Sequence, residues 1–317
     1  MIIPSFIEQN ITLADKNWFK TGGNAEFFCH PSTPEEFAQA LLFAYQQSIP
    51  VFLLGKGANI LIADDGVPGL TIQPHLTYIH QQTIDDTKVA VTAGAGVDLH
   101  SLIIYCLDNG IVGLEEFSGI PSTVGGAVYI NLHYFEFLLE HFLLNARVID
   151  AKTGQLMTVD NAWFNFGYNT SRLHMRDYYL VDATFLLTRV DQYKAAFAHG
   201  RHTEIIRHRA RRYPAKNTCG SFFRNFHEDE LVTTYEGKKI PYVAYYLERA
   251  GVKGVLQIGD AIVSHQHANM IVNMGNATTD NIITVAQTMQ QRVHEIFGIV
   301  PQPECQLIGF KNYPLLR

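Results

Sequence analysis

The spacing of apolar positions predicts a helix followed by two strands early in the chain. A capping segment begins at Thr33, and the apolar residues after it recur at helical spacing to about Gln47. Two short apolar runs, 51–54 and 60–63, then flank the glycine loop 55–59. A Rossmann loop opens a helix and carries a third glycine. This loop does neither, so we reject a Rossmann dinucleotide site here.

The rest of the pattern predicts a mixture of strands and helices without internal repeats. Asp98 caps a helix that ends near Gly110, and residues 148–188 alternate apolar runs with turns, as a β-rich domain does. The other predicted elements are helices at 193–212 and 280–297, strands around Ile262 and Ile271, and a strand in the tail 301–310.

Composition fits a globular protein of two or three domains, because 47% of the 317 residues are apolar and 17% are charged. The formal net charge of -6 disfavours nucleic acid as a partner. No apolar run is long enough to span a membrane, and the N-terminus lacks a secretory signal, so we expect a cytoplasmic protein that does not enter a membrane. Neither disulfides nor a metal site is expected from the four widely spaced cysteines, which are Cys29, Cys106, Cys219 and Cys305.

Two glycine-rich segments are candidate ligand loops. In 55–59, backbone N–H groups without side chains suit a pyrophosphate, although the same glycines also suit a tight turn between strands. In 118–127, Thr123 is placed to cap a short helix and the Gly125-Gly126 pair lets the backbone approach a flat or phosphorylated ligand. Close packing of a helix on a sheet is the structural alternative for this second segment.

Six segments together resemble one enzyme family. They are FKTGGNAEFF at 19–28, GKGANIL at 55–61, SGIPSTVGGA at 118–127, NTCGSFFRN at 217–225, GDAIVSHQHANMIVN at 259–273 and QPECQLIG at 302–309. In this order they resemble the UDP-N-acetylenolpyruvoylglucosamine reductases, whose FAD-binding fold belongs to the vanillyl-alcohol oxidase group. The resemblance covers nearly the whole chain.

The resemblance implies an α+β protein in which two α+β subdomains form an FAD-binding fold and a third α+β domain binds substrate. The expected boundaries are 1–73 and 74–213 for the FAD-binding subdomains, with the C-terminal strand 301–317 joining the second, and 214–300 for the substrate domain. It implies a monomer that uses NADPH to reduce UDP-N-acetylglucosamine enolpyruvate to UDP-N-acetylmuramate in peptidoglycan synthesis. Non-covalent FAD is expected because the first glycine loop contains no histidine.

The resemblance also assigns residues to the cofactor and the substrate. Those implied to hold FAD are Gly55, Lys56, Gly57, Ala58, Asn59, Ser118, Gly119, Ile120, Pro121, Thr123, Gly125 and Gly126. Those implied to meet the nucleotide-sugar substrate are Tyr168, Asn169, Lys216, Asn225 and Lys253. The segment from His267 to Asn269 is expected to shape the substrate domain.

Two residues are implied to be catalytic. Ser221 matches the family's general acid, and a serine can deliver a proton only when it lies within hydrogen-bond reach of a strongly basic carbon. Glu304 matches a glutamate thought to help stabilise the enolate. From the residues alone, Ser221 also suits the cap of a turn and Glu304 suits a solvated carboxylate near the C-terminus.

A cationic cluster precedes Ser221, and it suits the phosphates of the substrate or the dipole of the helix that carries it. Its members are Arg201, Arg207, Arg209, Arg211, Arg212 and Lys216.

The chain departs from the family pattern at several places, including Ser122 for the usual glycine and Ala58 for the usual serine. The tyrosine that Tyr168 matches is usually followed by an arginine that meets the substrate, and here Asn169 follows it. We predict that Arg172 takes over this role, the alternative being a solvated arginine in a weak enzyme. Elsewhere Asn131 is followed by bulky residues instead of a small residue and glycine. A flavoenzyme acting on another anionic substrate and a flavin-binding homologue without reductase activity are the alternative functions.

Overall fold

The computed structural model describes residues 3–231, 234–235 and 238–317. The chain divides into two compact units. The first comprises Met1–Gln9, Phe27–Lys56 and Gly69–Arg209, and the second comprises Asn10–Glu26, Gly57–Pro68 and Ala210–Arg317. The three-domain division predicted from the sequence stays a prediction.

Runs of strands are interrupted by helices along the chain. The strands are β1 (Glu8–Thr12), β2 (Asn24–Cys29), β3 (Val51–Leu53), β4 (Ile60–Ile62), β5 (Val67–Ile72), β6 (Ile79–Thr83), β7 (Lys88–Gly94), β8 (Ile111–Val112), β9 (His133–Tyr134), β10 (Phe137–Leu138), β11 (Leu143–Asp150), β12 (Leu156–Asp160), β13 (Tyr178–Arg189), β14 (Thr234–Tyr235), β15 (Lys238–Lys239), β16 (Gln257–Ile258), β17 (Ala261–Val263), β18 (Ile271–Asn273) and β19 (Gln306–Ile308). The α-helices are α1 (Pro34–Gln47), α2 (Leu99–Asp108), α3 (Val124–Tyr129), α4 (Gln192–Arg212), α5 (Val243–Arg249) and α6 (Thr279–Phe297). This mixture confirms the predicted α+β class.

The first unit is built on an antiparallel sheet with the strand order β12-β11-β13-β7-β6, to which β8 adds by pairing with β13. Apolar residues of β7, α2 and α3 form one core with this sheet, and Phe117 and Phe185 are fully buried in it. A second core packs α1 against β5 and the other end of the sheet, around Phe37 and Tyr179. Because helices cover the apolar face of the sheet, the glycine segments are held at the ends of rigid elements.

The second unit contains the antiparallel strands β16-β17-β18, covered by α5 and α6. Its core includes the adjacent rings of Phe222 and Phe223, both fully buried. The tail strand β19 runs parallel to β4, with Leu307 opposite Leu61. The C-terminal tail therefore completes a two-stranded sheet inside the same unit as the NTCGSFFRN segment.

Local signals placed the helix boundaries well. The side chain of Thr33 accepts a hydrogen bond from Glu36 N at the start of α1, and Asp98 accepts from His100 N at the start of α2. Gly298 follows α6 with φ of 72°, the left-handed conformation that glycine adopts without strain. Among the described residues, none of the helices combines the length and apolar character that a membrane span needs.

Candidate active site

The two glycine segments predicted to hold a cofactor meet inside the first unit. A Cβ built on Gly55 would lie 2.9 Å from Thr123 Oγ1. Thr123 in turn caps α3, because its hydroxyl accepts a hydrogen bond of 3.1 Å from Gly126 N. Gly55 of the first segment therefore borders the helix α3 that begins in the second segment.

Backbone geometry explains why glycine is needed in the second segment. Gly119 adopts φ of 74°, and a Cβ on Gly125 would lie 3.0 Å from the carbonyl oxygen of Ala95. These residues bring bare backbone and the first turn of α3 to one place, and this combination suits a pyrophosphate and a flat ring system. The residues present thus fit FAD.

The charged residue of the first loop has a partner that sequence reasoning missed. Lys56 Nζ lies 2.5 Å from Asp98 Oδ2, on the residue that caps α2. Both side chains are about one third exposed. The ion pair fixes Lys56 beside the N-terminus of α2 and offsets its positive charge before any anion binds.

The last three residues of the first loop belong to the second unit. The carbonyl oxygen of Gly57 accepts a hydrogen bond of 3.0 Å from Trp18 N, and that of Asn59 accepts one of 3.0 Å from Gln306 N. Gly57 has φ of 65°, and a Cβ there would lie 2.6 Å from Asn17 Cα. Close packing against Asn17 therefore explains this glycine as well as ligand binding would.

Ser118, a predicted cofactor residue, is buried and already engaged. Its Oγ lies 2.7 Å from His202 Nδ1 and 2.5 Å from the carbonyl oxygen of Glu115. Burial lowers the pKa of His202, and the nearby His100 and His199 lower it further. The Ser118 side chain thus anchors the segment to α4, and a cofactor would meet the backbone of this residue.

The segments that carry Ser221 and Glu304 pair with each other in the second unit. Phe223 forms a β-bridge with Pro303, and the carbonyl oxygen of Phe222 accepts hydrogen bonds from Glu304 N at 2.9 Å and from Cys305 N at 3.1 Å. Because Ser221 immediately precedes Phe222, this bridge sets the Ser221 segment beside the segment that contains Glu304. Sequence alone did not reveal this pairing, since 83 positions of chain separate them.

Glu304 is in an environment that favours a neutral carboxyl group. Burial raises its pKa from 4.5 to about 7. A carboxyl with this pKa is divided between its acid and its anion near neutral pH, so it can donate a hydrogen bond as well as accept one. Partial burial of Glu304 thus differs from the solvated carboxylate considered as the alternative.

Asn269 holds the serine segment in place, a role that fits the expectation that His267 to Asn269 shape this domain. Its amide accepts a hydrogen bond of 3.0 Å from Phe223 N and donates one of 2.7 Å to the carbonyl oxygen of Phe223. Its own carbonyl oxygen accepts from Phe222 N at 2.8 Å. Gly220, with φ of 78° and open space around its Cβ position, is required by backbone conformation and not by crowding.

The predicted substrate residues of the second unit lie in different settings. Lys216 and Asn225 are exposed, and Asn225 Oδ1 accepts a hydrogen bond of 3.3 Å from Val243 N at the start of α5. Lys253 Nζ is 2.8 Å from Glu248 Oε1. Burial, and then the positive charges of Arg212 and Lys253, lower the pKa of His267 to about 4. Arg212 and Lys253 therefore lie near His267, together with Glu248, the ion-pair partner of Lys253.

Part of the predicted cationic cluster is neutralised within the first unit. Arg201 makes two hydrogen bonds of 2.8 Å to the carboxylate of Glu116, and Arg207 lies 2.9 Å from Glu204. These two arginines are therefore engaged in ion pairs inside the unit. Arg212 contributes to the field at His267.

Tyr168 and Asn169 form the centre of a tight turn. Gly167 and Thr170 face each other across it, with hydrogen bonds of 3.1 and 3.4 Å between their backbones. Asn169 has φ of 55°, a left-handed conformation that asparagine tolerates better than other non-glycine residues. An arginine in the same conformation would cost about 1 kcal/mol or more. The turn supplies a local reason for the asparagine.

Arg172 is exposed and stacks on aromatic rings. Its guanidinium lies 4.5 Å from the centre of the Trp163 ring and 5.6 Å from that of Tyr178. The predicted role of Arg172 in place of the family arginine stays a prediction. In residues 3–231, 234–235 and 238–317, no group of three or more His, Cys, Asp or Glu side chains is arranged to hold a metal ion.

Two protein-family models match this chain, one in its N-terminal half and one in its C-terminal third. A family model described as an FAD binding domain matches residues 25–160, and one described as the C-terminal domain of UDP-N-acetylenolpyruvoylglucosamine reductase matches residues 212–308. These ranges contain the two glycine segments and the Ser221–Glu304 pair, respectively.

Relatives with the same name match nearly the whole chain. The UDP-N-acetylenolpyruvoylglucosamine reductase of Acaryochloris marina is 33% identical, over 96% of this chain and 93% of its own length. That of a Synechocystis strain is 32% identical, over 96% and 92%. The crystal structure of the UDP-N-acetylenolpyruvylglucosamine reductase from Thermus caldophilus aligns with a TM-score of 0.75 at 26% identity, covering 95% of this chain and 98% of the other. The predicted FAD-binding fold is thereby confirmed.

Proposed function

The chain belongs to the UDP-N-acetylenolpyruvoylglucosamine reductase family, and from this membership we propose that it reduces UDP-N-acetylglucosamine enolpyruvate to UDP-N-acetylmuramate in peptidoglycan synthesis. FAD is the cofactor and NADPH the hydride donor. The observation that carries the proposal is the pairing of the Ser221 segment with the strand of Glu304, because it unites an acid and a partly neutral carboxyl in one unit.

Bound FAD would supply hydride transfer between NADPH and the double bond of the substrate. The chain contributes backbone N–H groups and space at Gly55, Gly119 and the Gly125-Gly126 pair. Lys56, held in place by Asp98, is the proposed side-chain hydrogen-bond donor of the first loop. Because these contacts are non-covalent, the cofactor is expected to dissociate when the chain unfolds.

Ser221 is the proposed proton donor to the substrate carbon. Asn269 fixes the backbone of Phe222 and Phe223, and this limits where Ser221 can lie before substrate arrives. A preorganised donor of this kind typically contributes about 10² to 10⁴ in rate. The reaction therefore depends on Asn269 through the position of Ser221.

Glu304 is the proposed partner of the negative charge that develops on the substrate. Its neutral form, favoured by burial, donates a hydrogen bond to an enolate oxygen without a charge repulsion. Arg212, Lys216 and Lys253 are the proposed contacts of the diphosphate. Monomeric state and cytoplasmic location stay predictions.

Asn169 lacks the positive charge of the family arginine, and Arg172 is the proposed cation that contacts the substrate in its place. Leaving the Trp163 ring would cost an exposed guanidinium about 0.5–1 kcal/mol. A charge-assisted hydrogen bond to the substrate returns about 1.5–3 kcal/mol. On these magnitudes the exchange is favourable. The neutral Asn169 is the observation that favours the second candidate function, a flavin-binding homologue with little reductase activity.

The test is an absorbance spectrum of the purified protein, followed by a steady-state assay of NADPH oxidation. Purified protein is expected to show flavin absorbance, and NADPH oxidation is expected to accelerate many-fold when the nucleotide-sugar enol ether is added. Flavin absorbance without substrate-dependent oxidation supports the homologue of low activity, and a colourless protein that takes up no FAD contradicts both.

A further inference from the structure

A short hairpin follows the helix that carries the glycine pair. Its strands are β9 and β10, with His133 opposite Leu138. The base is fixed, because Leu132 N donates a hydrogen bond of 2.8 Å to the carbonyl oxygen of Ala127 in α3, and Leu139 N donates one of 2.9 Å to that of Leu132. At the turn, Phe135 adopts φ of 51°, which a bulky residue rarely does. The hairpin thus keeps its shape against a local preference.

The same hairpin holds His133 against the turn that contains Asn169. The ring centres of His133 and Tyr168 are 4.9 Å apart, with their planes inclined by 43°. Asn131 Nδ2 donates a hydrogen bond of 3.3 Å to the carbonyl oxygen of Gly167, at the start of the turn. The hydrogen bonds at the base of the hairpin and the one from the Asn131 side chain to Gly167 therefore hold His133 beside Tyr168.

The contact joins two departures from the family pattern. His133 stands where the family has a glycine after its asparagine, and Asn169 stands where it has an arginine after its tyrosine. One change removes the long cationic side chain, and the other adds an imidazole to the ring of the preceding tyrosine. The proximity of the two changes suggests compensation, since an imidazole supplies an N–H donor at a position where glycine has none.

We propose that His133 is a substrate-positioning residue, which donates a hydrogen bond to the carboxylate of the enolpyruvyl substrate beside Tyr168. The proposal rests on the proposed function. Its ring is partly buried, so a hydrogen bond there competes with less water than one at the surface. Burial lowers the pKa of His133, and a neutral imidazole still offers one N–H.

The experiment compares holoenzyme variants in steady-state turnover and in calorimetric binding of the product nucleotide sugar. His133→Ala removes the donor, His133→Gln retains one, and His133→Ala combined with Asn169→Arg returns the family's donor from the other side. His141→Ala is the matched control, because His141 is exposed and lies in the turn just after the hairpin.

His133→Ala is expected to lower kcat/KM for the enol ether roughly 10- to 100-fold, mainly through KM, and to weaken product binding in parallel. Flavin reduction by NADPH should stay within about twofold of the wild type. His133→Gln and the double variant should recover most of the loss, which a merely structural histidine would not do.

Unchanged kcat/KM and product affinity in His133→Ala, with an active wild type, overturn the role of His133 alone. Equal losses in His133→Ala and His133→Gln, together with lower thermal stability, also overturn it by indicating a packing role. A wild-type holoenzyme that does not turn over the enol ether refutes the proposed function, and the role of His133 falls with it.

Discussion

Glu304→Gln tests the environment of the central carboxyl group through protein stability. Burial raises the folded-state pKa to about 7 from 4.5, the ordinary value expected in the unfolded chain. The folded chain therefore holds this proton more tightly. Its contribution to stability is full below pH 4.5 and is lost as pH rises to about 7. At about 1.4 kcal/mol per pH unit, the loss amounts to about 3 kcal/mol.

The two tryptophans allow this loss to be measured in the correct unit. Trp18 belongs to the second unit with Glu304, and Trp163 belongs to the first. In a Trp163→Phe background, Trp18 fluorescence during urea unfolding reports the second unit. Unfolding free energies of flavin-free Trp163→Phe and Trp163→Phe/Glu304→Gln protein are compared between pH 4.5 and 8. Groups common to both proteins cancel in the difference.

The variant with glutamine is expected to gain stability relative to the one with glutamate as pH rises, by up to about 3 kcal/mol. Glu295→Gln, an exposed position near the end of α6, serves as the control for removing a carboxylate at the surface. A difference that stays constant across this range, or that grows towards low pH, would refute the buried, partly neutral carboxyl on which the proposed role of Glu304 depends.

Three further outcomes are expected. Acid precipitation should release FAD into the supernatant, and flavin colour retained by the washed pellet would contradict non-covalent binding. Ser221→Ala should leave flavin reduction by NADPH intact and slow substrate reduction by about 10² to 10⁴ in stopped-flow measurements, whereas equal loss in both half-reactions indicates a structural serine. Arg172→Ala should lower kcat/KM at least about tenfold, with Arg172→Lys intermediate, because a guanidinium contact is lost; normal turnover in Arg172→Ala would exclude its substrate role.

Local signals in the sequence predicted much of the fold. Thr33, Asp98 and Thr123 each act as the predicted helix cap, and Gly298 terminates α6 as expected. These predictions succeed because capping depends on residues within one turn of each other. The order of strand and loop around residues 55–59 follows from apolar runs for the same reason.

Long-range pairing was beyond the reach of this reasoning. The contact of Lys56 with Asp98 and the bridge of Phe223 with Pro303 depend on how distant strands align. No periodicity encodes such an alignment. The raised pKa of Glu304 is a consequence of the second pairing, since burial is a property of the assembled unit.

Asn169 shows how a local conformation and a catalytic role can compete for one position. Its φ of 55° favours asparagine over arginine, so selection for an unstrained turn opposes selection for a charged contact. With asparagine instead of arginine at position 169, the backbone strain of the turn is lower, but a hydrogen-bond donor to the substrate is lost. Activity then requires a donor from a neighbouring element, and the His133 ring against Tyr168 is such a donor on a backbone that needs no change at Asn169. From the sequence, only Arg172 was considered as the replacement, because it lies three residues from Asn169. The hairpin contacts the same turn from 36 positions away, through the hydrogen bond from Asn131 to Gly167.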